Sequence, residues 1–239
     1  MVPDKDLLKV KLFADGANIE GMIEMANKPF ISGLTTNPTL MRKAGITDYV
    51  KFAKDVLSEI RHKPLSFEVF SDDLEEMKIQ GKKIASWGDN VYVKVPITNT
   101  RGQSTAEVIS ALSNDGVKVN ATALLTAQQV AEVVAVLDPN TASYISVFAG
   151  RIADTGVDPL PIMKKSLDLI AEHKKCELIW ASPRELFNVF QADEINCHII
   201  TATNDILKKL DLVGYDLTEY SLETVKMFFE DAQASRFTI

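Results

Sequence analysis

Short apolar runs alternate with longer amphipathic stretches along the whole chain. The apolar runs predict eight β-strands, and the amphipathic stretches predict a helix after each strand. The predicted strands cover residues 10–14, 30–34, 66–70, 91–96, 117–121, 143–148, 177–181 and 197–201, and the predicted helices cover residues 19–26, 48–61, 72–87, 100–114, 126–137, 159–173, 183–192 and 203–210. Strict alternation is typical of a parallel sheet covered by helices, and eight repeats favour closure into a barrel. We therefore predict an α/β protein, a single-domain TIM (β/α)₈ barrel over residues 1–239.

Three of the predicted helix starts have a local signal. Thr47-Asp48 opens an apolar-periodic run, and Ser71-Asp72-Asp73 puts oxygen acceptors and negative charge where the free N–H groups of a first helical turn point. Ser182-Pro183-Arg184-Glu185 has the Ser, Pro and Glu spacing of a capping box. We therefore expect a helix to begin directly after Ser182.

One further amphipathic segment, residues 221–234, exceeds the count of eight repeats. Leu222, Val225, Phe228 and Phe229 fall on one face of it. The simplest interpretation is a helix packed on its own barrel. The alternative is an exposed apolar face that needs a partner, such as a neighbouring subunit.

The charge balance and the cysteine count narrow the classes of partner. The formal net charge of −7 argues against nucleic acid or an anionic membrane as the main partner. The two cysteines and three scattered histidines show no metal-ligand spacing, so we expect no metal site. The N-terminus lacks the apolar stretch of a signal peptide, and no run reaches the length of a membrane span. We therefore expect a cytoplasmic protein without a membrane partner.

Lys94 is the most informative polar residue, because the run around it, residues 91–97, is otherwise hydrophobic. Strands of a parallel barrel are buried on both faces, and a buried ammonium is expensive. Desolvation favours the neutral amine, which can attack a carbonyl group. The local run equally allows a lysine paired with a buried carboxylate or one whose amine reaches out at the strand end.

Other polar side chains stand in predicted strands, whose ends carry the reacting groups of barrel enzymes. Asp15 could act as an acid or base, although capping the next helix is the simpler interpretation for that residue alone. Glu68 could relay protons or neutralise Lys94. Asn120 and Thr122 share a face, because strand side chains repeat every two residues, and could orient water or sugar hydroxyls or bond local backbone.

The run Thr35-Thr36-Asn37-Pro38 follows the second predicted strand and reads as a polar turn. Asn37 in this run could bind a substrate hydroxyl or contact Lys94. It could equally form a plain turn whose shape Pro38 fixes.

Arg151, Ser182 and Arg184 follow the sixth and seventh predicted strands and together look like an anion site. Arginine grips phosphate oxygens through two N–H groups, and barrel phosphate sites are often built near strands 7 and 8. The alternative is a set of surface ion pairs, for example of Arg184 with Glu185 or Glu219.

Taken in order along the chain, these segments resemble the transaldolase family. The motifs are Leu12-Phe-Ala-Asp15, Gly33-Leu-Thr-Thr-Asn-Pro38, Tyr92-Val-Lys-Val-Pro96, Val119-Asn-Ala-Thr122, Ser146-Val-Phe-Ala-Gly-Arg-Ile152 and Ala181-Ser182. They span nearly the whole chain, and the second and third are specific when they occur together. The length of the chain is similar to that of the short branch of the family, which includes fructose-6-phosphate aldolases.

The resemblance implies a TIM barrel that acts on sugar phosphates of the pentose phosphate pathway with neither a metal nor an organic cofactor. It implies that Lys94 forms a Schiff base, that Asp15 is the acid/base, and that Glu68 and Thr122 hold a water used in proton transfer. The residues that it implies in substrate binding are Thr35, Asn37, Asn120, Phe148, Arg151, Ser182 and Arg184. Short-branch members form pentamers or decamers, so it also implies a homo-oligomer whose C-terminal helix and tail, residues 221–239, reach a neighbour.

Three positions bear on whether the chain resembles a transferase or an aldolase. Fructose-6-phosphate aldolases carry Gln, Tyr and Gly at the positions of Glu68, Phe148 and Asn120. A Tyr hydroxyl could protonate a bound enamine and release free dihydroxyacetone, whereas Phe148 cannot donate a proton. The resemblance therefore favours transfer to an aldehyde acceptor. An aldolase, an enzyme for a variant ketose and a non-catalytic sugar-phosphate-binding barrel remain alternatives.

Overall fold

The computed structural model describes residues 7–236, and within them eight parallel strands close into a barrel in the order β1 to β8. The strands are β1 (Lys11–Asp15), β2 (Ile31–Thr35), β3 (Leu65–Glu68), β4 (Val91–Pro96), β5 (Val119–Leu124), β6 (Ser143–Val147), β7 (Cys176–Trp180) and β8 (Ile199–Thr203). β1 pairs with β8 and closes the ring. The predicted TIM barrel is confirmed, and all eight predicted strands overlap the observed ones.

Helices follow the strands as predicted, with differences at several ends. They are α1 (Ile19–Ala26), α2 (Pro38–Lys43), α3 (Tyr49–Glu59), α4 (Leu74–Ala85), α5 (Ala106–Asn114), α6 (Ala127–Val134), α7 (Ala149–Asp154), α8 (Leu160–Ile170), α9 (Phe187–Glu194), α10 (Asn204–Leu207) and α11 (Leu217–Ala234), with a 3₁₀ helix at Lys208–Leu212. Asp48 and Asp73 cap α3 and α4, so these helices begin one and two residues later than predicted. The short helices α2 and α7 were not predicted, because six residues are too few to establish a helical period.

The predicted helix at residues 100–114 is wrong over its first six residues. That stretch belongs to a tight excursion in which Thr98 and Ser104 form an antiparallel bridge. The side-chain oxygen of Asn99 accepts the N–H groups of Arg101 and Gln103, at 3.1 and 3.0 Å. Side-chain acceptors of this kind compete with the helical ladder, and α5 therefore starts only at Ala106.

The capping box predicted at Ser182 is also wrong, because α9 begins at Phe187. Ser182 lies in the left-handed region, with φ 60°. The N–H groups of Arg184 and Glu185, which a cap would serve, donate instead to the side-chain oxygen of Asn188, at 2.7 and 3.2 Å. The side chain of Asn188, inside α9, therefore accepts the N–H groups that the Ser182 side chain was expected to accept.

Aromatic side chains close the inside of the barrel at the end where the strands begin. The rings of Tyr92 and Tyr144 stack at 3.9 Å, and Phe13 meets Tyr144 edge-on at 5.8 Å. Gly33 makes room for this arrangement, since a Cβ there would lie 2.5 Å from the Phe13 ring. We refer to Phe13, Tyr92 and Tyr144 as the aromatic floor.

The last helix, α11, does not pack on its own barrel. None of its side chains is buried, and Leu217, Phe228 and Phe229 are 82%, 63% and 64% exposed. The simplest interpretation of the amphipathic tail is therefore wrong. Residues 1–6 at the N-terminus and 237–239 of the predicted tail lie outside the described residues.

Candidate active site

Lys94 lies inside the barrel, at the carboxyl ends of the strands, where its side chain is 7% exposed. Its Nζ donates to the carbonyl oxygen of Thr36 at 2.9 Å and lies 3.1 Å from Oε2 of Glu68. Glu68 and Lys94 are register partners on β3 and β4, so the barrel itself brings the two charges together. The amine does not reach out to solvent, and the carboxylate partner that the sequence allowed is present, although Glu68 is only partly buried.

Tyr49, which the sequence analysis missed, holds the backbone of Glu68. Its hydroxyl donates to the Glu68 carbonyl at 3.0 Å and accepts the Glu68 N–H at 2.9 Å. The ladder between β2 and β3 ends at Ser66, so the tyrosine takes the place of a strand partner. Edge contacts with the rings of Phe70 and Trp87 hold Tyr49 itself. α3 therefore supports the carboxylate that faces Lys94.

Asp15 sits at the end of β1 and is held by the end of β2. Thr35 Oγ1 donates to one carboxylate oxygen at 2.8 Å, and Asn37 Nδ2 approaches the other at 3.4 Å. Burial raises the pKa of the Asp15 carboxyl above its ordinary value, and the charge of Lys94 and the Thr35 hydrogen bond oppose this. Asn18, not Asp15, caps α1.

Asn37 takes the turn role that the sequence allowed and adds a contact with Asp15 that was not predicted. Its Oδ1 accepts the N–H of Leu40 at 3.0 Å and so caps α2, while its Nδ2 faces Asp15. Among its described hydrogen bonds, the amide contacts the carboxylate and not Lys94. Asn37 thus joins the turn to the acid group.

Thr122 and Ala123 form an irregularity in β5 that opens the strand toward the cavity. Ala123 has φ 63°, and the register with β6 shifts between Ala121 and Leu124. A non-glycine residue in this region costs about 1–3 kcal/mol and commonly marks a functional site. The Thr122 hydroxyl is buried and has no hydrogen-bond partner within the described part of the chain, so the alternative of a local backbone bond is wrong. Its free hydroxyl can bind a water or a substrate group.

Asn120 lies next to this cavity but is fully buried. Its Nδ2 donates to Ser66 Oγ at 3.0 Å, and its Oδ1 accepts from Ser146 Oγ at 2.8 Å. The two serine hydroxyls hold the Asn120 amide in place from either side. Ser66 and Ser146 stand two residues before Glu68 and Phe148, so the period of two could have found them.

Arg184 and Ser182 form one group at the rim. Two nitrogens of the Arg184 guanidinium bind the two carboxylate oxygens of Asp154, and Nη1 donates to the carbonyl and hydroxyl oxygens of Ser182, at 3.0 and 2.9 Å. The ion pair lowers the pKa of Asp154 below its ordinary value. Asp154 is thus the ion-pair partner, and the suggested partners Glu185 and Glu219 are wrong.

Arg151 stands near this group on α7, with its guanidinium carbon 5.9 Å from the centre of the Phe148 ring. The neighbouring Gly150 allows α7 to approach the Ser182 backbone closely. A Cβ at Gly150 would lie only 1.6 Å from the Ser182 carbonyl oxygen. The rim therefore requires glycine at this position.

Ten of the eleven predicted site residues line one cavity of about 520 Å³, within the usual size range of small-molecule sites. They are Asp15, Thr35, Asn37, Glu68, Lys94, Thr122, Phe148, Arg151, Ser182 and Arg184. Asn120 is the eleventh and is buried beside it. The cavity also includes Ser146 and Thr201, polar residues in apolar strands that the criterion applied to Lys94 would have marked.

The fold and this cavity define a (β/α)₈ barrel with charged and polar side chains converging at the carboxyl ends of its strands. The family model described as Transaldolase/Fructose-6-phosphate aldolase matches residues 12–239. The chain therefore belongs to the transaldolase/fructose-6-phosphate aldolase family, and it is an enzyme of the transaldolase or aldolase kind.

Individual relatives agree with the family. A "Probable transaldolase" of Thermoanaerobacter sp. (strain X514) is 32% identical over 219 residues, which cover 91% of this chain and 95% of that protein. A "Probable transaldolase" of Nitrosopumilus maritimus is 31% identical over 228 residues, or 94% and 97% of the two chains.

A solved structure of a dihydrodipicolinate synthase family protein from Coccidioides immitis has a TM-score of 0.58 at 10% identity. It covers 84% of this chain and 68% of that one. At this identity the similarity concerns the fold alone. Among residues 7–236, no helix has the length and apolar composition needed to cross a bilayer.

Proposed function

We propose that this enzyme is a transaldolase that moves a dihydroxyacetone unit from fructose 6-phosphate to erythrose 4-phosphate through a Schiff base on Lys94. One observation carries the proposal. The buried Lys94 amine, the Glu68 carboxylate 3.1 Å away and the Asp15 carboxyl line a single cavity that ends in two arginines. An amine nucleophile, a proton-transfer group and an anion grip are the parts that such a transfer needs.

The first half-reaction breaks a carbon–carbon bond. The neutral Lys94 amine attacks the C2 carbonyl, and the carbinolamine loses water to give an iminium ion. Glu68 and Thr122 hold the water through which these protons move. Asp15 takes the proton of the C4 hydroxyl, and the electrons of the C3–C4 bond flow into the iminium. Glyceraldehyde 3-phosphate leaves, and an enamine remains on Lys94.

The second half-reaction reverses these steps with another aldehyde. The enamine carbon attacks C1 of erythrose 4-phosphate, and Asp15 returns its proton to the new hydroxyl. Hydrolysis of the iminium then frees Lys94 and gives sedoheptulose 7-phosphate. A covalent intermediate between two exchanging substrates gives ping-pong kinetics.

Phe148 supports transfer over release of the three-carbon unit. Its ring lines the cavity and offers no proton, whereas a phenol there could protonate the enamine. The enamine therefore persists until an aldehyde arrives. Arg151 and Ser182, with Arg184 behind Ser182, bind the phosphate of either sugar.

Borohydride trapping tests the Schiff base directly. The protein is incubated with fructose 6-phosphate and reduced, and the adduct is located by mass spectrometry of peptides. We expect the label on Lys94 and its loss in Lys94→Met. Lys118→Met is a matched control, because Lys118 lies just before β5 at the opposite end of the barrel. Label elsewhere, or full activity in Lys94→Met, contradicts the proposal.

Two alternative functions, an aldolase and a non-catalytic binding barrel, would give different results in the same experiment. An aldolase would release free dihydroxyacetone from fructose 6-phosphate without any acceptor. A sugar-phosphate-binding barrel without catalysis would bind the ketose but form no reduced adduct. Free dihydroxyacetone formed without an acceptor identifies the aldolase. Turnover to glyceraldehyde 3-phosphate that requires erythrose 4-phosphate identifies the transaldolase, and the absence of both products identifies the binding barrel.

We further propose a homo-oligomer in which a second copy of the chain covers α11. The support is the exposed apolar surface of this helix, including Val225, Phe228 and Phe229. Sedimentation velocity at several concentrations should show a closed oligomer. Phe228→Ser with Phe229→Ser should dissociate it, and a monomer at every concentration would refute it.

A further inference from the structure

A chain of three side chains links β8 to the Asp15 carboxyl across the inside of the barrel. Thr35 Oγ1 lies 2.8 Å from Asp15 Oδ1 and 2.5 Å from Thr201 Oγ1. Both threonines are almost completely buried, at 4% and 6% exposure. Thr201 belongs to β8, next to β1, and Thr35 belongs to β2 on the other side of β1. The three side chains therefore come from three adjacent strands.

The number of protons fixes the direction of these hydrogen bonds. Each threonine hydroxyl has one proton to donate, and an ionised carboxylate can only accept. When Thr35 donates to Asp15, its oxygen must accept the remaining short contact, so Thr201 is the donor there. The bonds then run head to tail from Thr201 through Thr35 to Asp15, and bonds in such a series polarise one another.

We propose that Thr201 is a positioning residue for the proton transfer at Asp15, acting through Thr35 and favouring the ionised carboxylate. The proposal rests on the proposed function only for its catalytic consequence. Bonds to an ionised acceptor are about twice as strong as bonds between neutral groups, so the series stabilises the carboxylate more than the acid. Thr201 thereby keeps the base ready in a buried site.

The charges around Asp15 define the background for this effect. The Lys94 ammonium on β4 favours the carboxylate, and the Glu68 carboxylate on β3 disfavours it. Burial, the largest influence, raises the pKa of Asp15, and the hydrogen bonds from Thr35 and Asn37 lower it. When Asp15 takes the C4 hydroxyl proton, neither threonine proton has to move, because both already point toward the carboxyl.

The test uses Thr201→Val, which keeps the branched shape, together with Thr201→Ser, which keeps the hydroxyl. An infrared titration of the protonated carboxyl band, with Asp15→Asn as the subtraction reference, measures the pKa of Asp15 without catalysis. We expect Thr201→Val to raise it by about half a unit, from the cooperative share of a charge-assisted bond. Thr201→Ser should restore the wild-type value. The acid limb of kcat/KM should move by the same amount.

Two controls distinguish an effect of the Thr201–Thr35–Asp15 hydrogen bonds from a loss of packing. Thr201→Val should add nothing in a Thr35→Val background, because the connection is already broken there. Ser166→Ala also removes a buried hydroxyl, one bonded within α8 to Ile162, and should leave the pKa of Asp15 unchanged.

The possible failures are distinguishable. The proposed role of Thr201 is overturned by any of three results. These are an unchanged pKa of Asp15 in Thr201→Val, an equal shift in the Thr35→Val background, or a change confined to KM. A missing Lys94 adduct together with the expected infrared shift overturns the proposed transfer function but leaves the proposed effect of Thr201 on Asp15 standing.

Discussion

Gly150 gives a sharp test of how the rim of the cavity is built. In Gly150→Ala the new Cβ would meet the Ser182 carbonyl oxygen at 1.6 Å and its carbonyl carbon at 2.7 Å. Carbon and oxygen atoms that are not bonded stay at least about 3.3 Å apart, so the two backbones must separate by roughly 1.7 Å. Both belong to segments directly after strands, β6 and β7, and neither can yield freely.

The displacement has two consequences of different size. Overpacking of this kind lowers the free energy of unfolding by about 1–3 kcal/mol. It also moves Ser182, and with it Arg184, away from Arg151. Because a misplacement of about 1 Å can cost roughly 100-fold in rate, we expect kcat/KM for fructose 6-phosphate to fall about 100-fold.

A second assay distinguishes damage to the rim around Ser182 from damage to the Lys94 amine. Borohydride trapping with dihydroxyacetone, which carries no phosphate, reports on Lys94 alone and should remain near the wild-type level. Gly16→Ala is the matched control, since a Cβ there would meet nothing closer than Met22 Cγ at 3.8 Å. A near-normal kcat/KM for fructose 6-phosphate in Gly150→Ala, or an equal loss of trapping with dihydroxyacetone, would refute this account of the rim.

Three further substitutions test other parts of the site. Burial raises the pKa of Asp15, so the contribution of this carboxyl to the free energy of unfolding is greatest at low pH and is lost as the pH rises through its folded-state pKa. Asp15→Asn should therefore unfold at a higher urea concentration than wild type at pH 7, and a lower midpoint contradicts this. Tyr49→Phe leaves the N–H and carbonyl of Glu68 without their partner and should lower the free energy of unfolding by about 1–3 kcal/mol in urea titrations; an unchanged midpoint would show that other groups satisfy them. Phe148→Tyr should increase the acceptor-independent release of dihydroxyacetone, measured enzymatically, and no increase would mean that Phe148 does not protect the enamine.

The sequence predicted the fold and the centre of the site for a shared physical reason. Eight apolar runs separated by amphipathic stretches leave few architectures, and a charged residue such as Lys94 inside such a run is costly enough to stand out. Asp15 and Glu68 gain weight only once the barrel brings their strand ends together, which strand order along the chain already implies.

The parts that the sequence missed depend on contacts between distant segments. Ser66, Ser146 and Thr201 are small hydroxyl residues that strands tolerate at little cost, so their place in apolar strands marks them far less strongly than it marks Lys94. Ser182 has a left-handed backbone and its carbonyl accepts from the Arg184 side chain, an arrangement that the capping pattern around it does not reveal. Tyr49 reaches Glu68 from a helix, at a separation that no periodicity connects.

The aromatic floor has a consequence for traffic through the enzyme. The rings of Phe13, Tyr92 and Tyr144 pack together inside the barrel and do not line the cavity, so we expect sugars to reach Lys94 from the carboxyl ends of the strands. Under the proposed reaction, the aldehyde released by the first sugar and the acceptor aldehyde must pass through the same opening of the cavity. The first aldehyde must dissociate before the second can bind, and an excess of either aldehyde therefore competes with the other.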